Sequence, residues 1–401
     1  MAIEETELKP ADGFKSGRVR RFLLSGGKIS ITQISTFCPH AVGPGPTHVY
    51  VIENDAVILV DAGIPTHLAK SLFYHWRNQP IPPEVEALPS DQSERELRQG
   101  LQLAGYSMRD IDLLAISHGH PDHFMMAGSI LNGTNAIVTA HILDTTAVCN
   151  PWGFLDRWVS RLHLMAATGM PPARKPEEVM GKTRVLDLNL ESLGAAVKVD
   201  FPLMSDGPLT IKGSQVNGVE VRNLPGHSPG SIGLIIGDSY TGTLLVCGDV
   251  LLNPITPHPD DLLVYLQTLE ALGKYDDVDV VLPAHGEEIK DLKARVSFLK
   301  KHHRNRLRQT FEACRIPRCV WEVATMENYF DTYVDPKEFN FLAGLEALVH
   351  FELLHMVGGL LRTDIRGPVH YFRSSEEPFE EVYGRIMELV TNEKAATLMR
   401  Y

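Results

Sequence analysis

The sequence predicts an α+β protein, and three observations carry that expectation. Short apolar runs of strand type recur through the first three quarters of the chain, and several of them end in a histidine or aspartate beside glycine or proline. Helical spacing dominates after residue 286. With 401 residues, 44% hydrophobic and 22% charged, the chain has the composition of an ordinary globular protein and the length for a large core plus a second domain.

Residues 1–25 read as an N-terminal tail, acidic in places and without the apolar stretch of a secretory signal. Strands over Ile29–Phe37 and His48–Glu53 flank a turn rich in proline and glycine, Cys38–Pro46. Val57–Val60 is a strand ending at Asp61, and the proline-rich stretch Gln79–Pro89 is a loop. Ser93–Ala104 has helical spacing, with Leu97, Leu101 and Ala104 on one face. The run Ile111–Ile116 follows, then Ser117-His118-Gly119-His120-Pro121-Asp122-His123. A short strand over Ala136–Ala140 ends at His141. The segment 144–180 carries Trp152, Phe154, Leu155, Trp158, Val159 and Leu162. It is either a helical lid making an apolar pocket or the buried face of one more helix. Strands over Gly218–Leu224, Thr243–Gly248 and Val278–Leu282 deliver His227, Asp249 and His285 in turn. Helices are expected over Glu287–Gln309, Ala324–Phe330 and Phe341–Leu361, the last running through Gly358-Gly359 into a hairpin.

The segment from His118 to His123 places three imidazoles and a carboxylate within six positions. Imidazole and carboxylate are the usual ligands of zinc and similar ions. His118 and His120, two apart, can point the same way from an extended turn, while Asp122 and His123 project elsewhere, toward a second ion. The competing reading, a solvated turn that happens to be His-rich, does not account for His227, Asp249 and His285 at three other strand ends. Loops at strand ends are where a rigid scaffold presents functional groups. His40, His48 and His141 read as structural, and Ser228 and Ser231 as caps of the His227 turn. His258, in Pro257-His258-Pro259, is a candidate for the pocket mouth together with Trp152, Phe154 and Trp158. The chain has no phosphate-binding glycine loop, serine-hydrolase elbow or dinucleotide fingerprint.

On these residues the chain resembles the metallo-β-lactamase superfamily of hydrolases: a strand-end aspartate, His-x-His-x-Asp-His, then a lone His, a lone Asp and a lone His, in that order from Asp61 to His285. The resemblance implies an αβ/βα four-layer sandwich over 26–290, with metals at one edge of the sheets. It implies His118, His120 and His227 on one ion, Asp122, His123 and His285 on the other, and Asp249 bridging both. Asp61 takes the place of the aspartate that orients a ligand. His120 stands where the superfamily's di-iron flavoproteins have glutamate, which favours hydrolysis over redox chemistry. The expected cofactors are two Zn2+, with Mn2+ or Fe2+ as substitutes. In related enzymes an insertion at 144–180 lies over the metals. Residues 291–401 resemble the small, mainly helical winged-helix-like domain of one branch, similar to glyoxalase II and its relatives.

The expected reaction is attack by a metal-bridging hydroxide on the carbonyl of a thioester or ester, with Asp122 and Asp249 as the catalytic carboxylates. A lactonase is the neighbouring option, and a phosphodiesterase acting on RNA the second class. A β-lactamase and a non-catalytic, metal-stabilised binding protein complete the alternatives. The expected partner is a small acyl substrate. Net charge of −12 disfavours nucleic acid and anionic membrane. The basic stretch 287–309 reads as a solvated helix face, with a phosphate-binding role as its alternative. An exposed apolar lid would invite a homodimer. Five cysteines without a C-x-x-C, and no membrane-length apolar run, point to a cytoplasmic protein.

Overall fold

The computed structural model describes residues 3–10, 14–24, 26–39, 44–150, 164–174, 197–363 and 367–392. Trp152, Phe154 and Trp158, like the rest of the central part of the expected lid, and His40 lie outside these residues.

Two sheets face each other. The larger has eight strands in sequence order: β1 (Glu4–Leu8), β2 (Val19–Leu23), β3 (Ser30–Thr36), β4 (Thr47–Glu53), β5 (Val57–Val60), β6 (Leu113–Ile116), β7 (Ile137–His141) and β8 (Phe201–Leu203). Pairing is antiparallel from β1 to β5 and parallel from β5 to β8. The smaller sheet contains β9 (Gly207–Ile211), β10 (Ser214–Asn223), β11 (Ile232–Asp238), β12 (Gly242–Val246) and β13 (Val280–Leu282), in the order β13-β12-β11-β10-β9.

The alternation of side chains along each strand builds the layers. Tyr50 and Ile52 on β4, Ile58 and Val60 on β5, and Leu113 and Ala115 on β6 meet Val219, Val221, Leu234, Leu244 and Val246 of the smaller sheet in one buried cluster. Val49, Val51, Leu59, Leu114 and Ile116 face the other way. They pack under α1 (Thr66–Arg77) and α3 (Gln92–Ala104), which flank the four-residue helix α2 (Pro83–Glu86) in the expected loop. On the outer face of the smaller sheet, Leu245 and Val281 pack under α7 (Leu262–Leu272) and α8 (Leu292–Ala313). Short helices also occur among the described residues before them, including α4 (Pro121–Phe124), α5 (Ala127–Leu131) and α6 (Thr145–Cys149). The result is helix, sheet, sheet, helix: the four-layer sandwich.

The expected N-terminal tail is a correction. Its described residues include β1 and β2, two strands of the larger sheet. Buried Arg20 ties them down, with Nη1 at 3.0 Å from Glu5 and 2.7 Å from Glu288. The physical reason for the misreading is that β1 is an edge strand, largely exposed and charged, so it lacks the apolar alternation that marks a buried one.

After β13 the chain is mainly helical, with α8, α9 (Val320–Ala324), α10 (Phe341–Met356) and α11 (Phe379–Thr391) around a small antiparallel sheet. That sheet has the order β14 (Arg318–Cys319), β16 (His370–Arg373), β15 (Leu360–Arg362). Helix α8 begins at Leu292, where the Asp291 side chain accepts from the Ala294 amide at 2.8 Å and caps it. The helix expected over Ala324–Phe330 is displaced: α9 ends at Ala324, and Thr325 closes it with hydroxyl and amide bonds back to Trp321. Helix α10 stops at Met356, and Gly358-Gly359 leads into the β15–β16 hairpin. One continuous apolar cluster joins the outer face of the smaller sheet to these helices, from Leu245 and Leu262 to Phe351 and Val382. The 290/291 boundary therefore marks a change of architecture within a shared core. No described helix is long and apolar enough to cross a membrane.

Candidate metal centre

Every strand-end residue singled out above arrives at one end of the two sheets. Strand β6 ends at Ile116, and His118 and His120 follow in the next turn, His120 in extended backbone. Pro121 then starts α4, where its fixed φ suits the first helical position. That turn sends Asp122 toward His285 and lays the His123 ring beside His118, with centroids 3.9 Å apart. Strand β10 supplies His227, β12 supplies Asp249 and β13 supplies His285. His118, His123, His227, Asp249 and His285 are all buried, as is Asp122.

Three groups of side chains form there: His118, His120 and His227; His118, His123 and Asp249; and Asp122, His123 and His285. In the first, His118 Nε2 lies 2.9 Å from His120 Nδ1 and 3.2 Å from His227 Nε2, with His227 Nε2 3.0 Å from His120 Nδ1. In the last, His285 Nε2 is 3.3 Å from Asp122 Oδ2 and His123 Nε2 is 3.8 Å from Asp122 Oδ1. Asp249 sits between them: Oδ2 is 3.7 Å from His227 and 3.6 Å from His123, and Oδ1 is 3.6 Å from His285.

The far nitrogen of each ring decides what the near one offers. His227 Nδ1 donates to the His258 carbonyl at 2.7 Å, and His285 Nδ1 donates to the Pro46 carbonyl at 3.0 Å. His123 Nδ1 donates to Asp61 Oδ2 at 2.8 Å. Asp61 also accepts from the Ser117 amide and hydroxyl, each at 2.7 Å, which leaves that hydroxyl oxygen to accept from His118 Nδ1 at 3.1 Å. In the neutral rings, Nε2 of His118, His123, His227 and His285 is consequently a bare lone pair turned inward. Asp61 thus takes the orienting position expected of it, and it does so at φ 64°, a left-handed conformation that aspartate tolerates better than most residues.

This arrangement fits a divalent cation. Lone pairs about 3 Å apart repel unless something positive lies between them, and tetrahedral bonds of about 2.0–2.1 Å hold nitrogens about 3.3 Å apart. His123 Nε2, His285 Nε2 and Asp249 Oδ1 are buried and make no hydrogen bond among the described residues. Burial costs such atoms dearly when nothing compensates. Electrostatics point the same way. Burial and then His123, His120 and His227 push His118 well below the usual imidazole range. Burial would raise the Asp249 carboxyl, but His285 and His123 hold it well below the ordinary range. Burial would lower His123, but Asp249, Asp61 and Asp122 hold it well above, so these carboxylates draw positive charge to this place, a proton on the ring where no cation is bound.

The matching family model is the metallo-beta-lactamase superfamily, over residues 42–285. The chain belongs to the metallo-beta-lactamase superfamily. A Bacillus subtilis (strain 168) relative named "Probable metallo-hydrolase YqjP" is 25% identical over 283 residues, covering 67% of this chain and 75% of the relative. Two crystal structures share the superfamily fold. A metallo-beta-lactamase family protein from Thermus thermophilus aligns with TM-score 0.63 at 20% identity, over 86% of this chain and 98% of its own. A beta-lactamase domain protein from Burkholderia ambifaria aligns with TM-score 0.63 at 21% identity, over 91% and 96%. Membership makes the chain one of a superfamily of metallo-hydrolases.

The other residues named from sequence fall as follows. His48 is buried between Ser35 Oγ at 3.0 Å and the Gly286 carbonyl at 2.9 Å, and burial pushes it down to about 3, so it is neutral and structural. Ser228 and Ser231 close the His227 turn, with the Ser228 amide donating to Ser231 Oγ at 3.1 Å. His258 reaches the centre through its backbone carbonyl, and it lines a cavity of about 230 Å3 with Leu164, Leu345, Leu348, Leu353 and Met356.

Sequence reasoning missed Asp144, assigned there to the lid. It is fully buried, and its Oδ2 accepts from the Gly119 amide at 2.8 Å and the Ser228 hydroxyl at 2.7 Å. One carboxylate thereby fastens the His118–His120 loop to the His227 turn. Asp144→Ala leaves the Gly119 amide unmatched, at about 1–3 kcal/mol, and turns the Ser228 hydroxyl back on Ser231 Oγ 2.9 Å away. Urea denaturation is expected to show that loss, and zinc affinity to fall about 10–100-fold.

Proposed function

We propose that this chain is a binuclear metal-dependent hydrolase of thioesters or esters. His118, His120 and His227 would hold one divalent ion, Asp122, His123 and His285 the second, with Asp249, which lies between the two groups, available to both. The observation that carries this reading is the convergence of four oriented imidazole nitrogens, bare in the neutral rings, on a carboxylate whose buried Oδ1 has no hydrogen bond among the described residues. Imidazole with carboxylate suits zinc, with manganese or iron(II) as substitutes. When bound, two such ions supply Lewis acidity toward a carbonyl oxygen and hydroxide from water near neutral pH.

The chain's own residues supply the rest. Asp61, Pro46 and His258 fix the tautomers of His123, His285 and His227, so that no ring must rotate or lose its orienting bond when a ligand arrives. Asp122, turned toward His285, is placed to orient the attacking water and to pass a proton to the leaving thiolate or alkoxide. Burial of the ligands excludes bulk water and strengthens each charge interaction.

Two features support an acyl substrate over a nucleic acid. The cavity at His258, linked to the centre through the His258 carbonyl, is walled by leucines and Met356, with Asp260, Asp261 and Glu352 on its lining, a setting that suits an apolar group better than a polyanionic backbone. The cations of the basic stretch are also engaged. Lys300 pairs with Glu270 at 2.5 Å, Arg304 with Glu380 at 2.7 Å, and Lys293 and Arg308 with Asp276 and Glu380. Few are left for a polyanion.

A hydrolysis screen tests this reading, offering zinc-loaded protein acyl-CoA and glutathione thioesters, lactones and a phosphodiester side by side, with His120→Ala as blank. Thioester or ester turnover absent from the blank is expected. Lactone turnover alone moves the assignment to the neighbouring reaction, and turnover of the phosphodiester alone overturns it.

A further inference from the structure

Away from the strand-end centre, α8 and α10 bring a second set of ligand-type side chains together. His303 and His350 are both fully buried and their rings stack, with centroids 5.4 Å apart. Their hydrogen bonds have one consistent assignment. A carbonyl can only accept, so His350 Nδ1 donates to the Glu346 carbonyl at 2.7 Å. Neutral His350 then has a bare Nε2, which accepts from His303 Nδ1 at 3.2 Å. Neutral His303 in turn has a bare Nε2. That atom is buried without a partner among the described residues, and so is Nε2 of the neighbouring His302. A ring nitrogen from each of His302 and His303 and a carboxylate oxygen of Glu346 lie within 4.8 Å of one another.

We propose that His302, His303 and Glu346 form a further divalent-metal site of zinc type, separate from the strand-end centre, with His350 as the residue that positions His303. The pattern is the one metal-binding histidines follow: one nitrogen donates to a fixed acceptor, and the other faces the ion. Two imidazoles and one carboxylate are a zinc donor set that leaves a position for water. The three ligand atoms lie within 4.8 Å of one another, and tetrahedral bonds of about 2.0–2.1 Å would draw them to about 3.3 Å. His302 and Glu346 provide the adjustment, since His302 is only partly buried and the Glu346 side chain retains 14% exposure.

Burial, then His350, hold His303 well below the usual imidazole range, and burial and then Arg306 push His302 down to about 4, while burial lifts the Glu346 carboxyl to about 7. A cation taking this carboxylate would therefore release its proton, as metal binding to protonated ligands does. Arg306 is the opposing charge: its Nη1 is 4.0 Å from Glu346 Oε1, and its guanidinium lies against the rings of Tyr329 and Phe330. The alternative occupant is a water that donates to His302 Nε2 and His303 Nε2 and accepts from Arg306 Nη1, which is also buried without a hydrogen bond among the described residues. Such a water leaves the Glu346 carboxylate to Arg306, 4.0 Å away, whereas a cation takes the carboxylate with both rings.

Anomalous diffraction at the zinc edge on crystals of the zinc-loaded full chain tests the site, together with zinc content per chain. The expected result is an anomalous peak about 2.0–2.2 Å from His302, His303 and Glu346, and loss of one zinc per chain in His302→Gln and Glu346→Gln. His302→Gln alters a partly exposed side chain, and the wild-type diffraction result stands without any variant. Density with no anomalous signal at this position, with unchanged zinc content in both variants, overturns the inference and identifies the water. Peaks at the strand-end centre without one here have the same consequence and leave the proposed function intact. A peak here without any at the strand-end centre separates the two in the other direction.

Discussion

Asp249→Asn is expected to release zinc from the strand-end centre and to lower thioester kcat/KM by at least about 10³-fold, the several kcal/mol that metal-assisted charge stabilisation supplies. The substitution preserves shape and removes charge. Asp249 is the single carboxylate whose oxygens face His227 and His123 on one side and His285 on the other, at 3.6 to 3.7 Å. Without its charge, either ion would face imidazoles and, for one of them, only Asp122. The check is zinc content beside steady-state kinetics. Equal loss in both identifies a metal-binding carboxylate. Full zinc content with a large drop in kcat would assign Asp249 to the reaction alone and count against a bridging position.

Gly226→Ala is expected to be as damaging, by a different route. Gly226 precedes His227 at φ 123°, a conformation L residues rarely adopt, and an added Cβ would lie 2.4 Å from both N and Cα of Tyr265. Tyr265 belongs to α7, is fully buried and is anchored by its hydroxyl to the Val250 carbonyl at 2.8 Å, so backbone meets backbone and nothing flexible can yield. The turn must move, and His227 moves with it. A stability loss above about 3 kcal/mol is expected, since steric overlap and backbone strain add. Zinc affinity of the remaining folded protein should fall as well. Chemical denaturation and zinc titration check the two parts, and a variant with wild-type stability would show that the turn relaxes freely.

The sandwich and the cluster of histidines and aspartates proposed to hold metal were legible because their chemistry is written in side chains. Ile116 before the His-rich turn, Val246 before Asp249 and Leu282 before His285 sit at strand ends, and the ligands follow directly from them. What orients those ligands was less legible. The carbonyls of Pro46 and His258 hold His285 and His227, and a carbonyl has no residue identity to read. Asp144 was hidden for a related reason. A buried carboxylate that takes a backbone amide and a serine hydroxyl resembles, in sequence, any aspartate before a helix. The charged edge strand β1 was read as a tail because solvent exposure erases alternation. His303 and His350 were concealed differently. His303 lies among lysines and arginines that read as a solvated face, and only the packing of α10 against α8 brings His350 to it.

The central claim is that bound metal, held at the ends of these strands, is required for hydrolysis. It is tested most directly by stripping the protein with a chelator and restoring zinc stepwise while following thioester hydrolysis. The account predicts no turnover in the stripped protein, recovery as zinc fills the strand-end centre, and no recovery in His120→Ala. Undiminished turnover after complete removal of metal, or full recovery in His120→Ala, would contradict it.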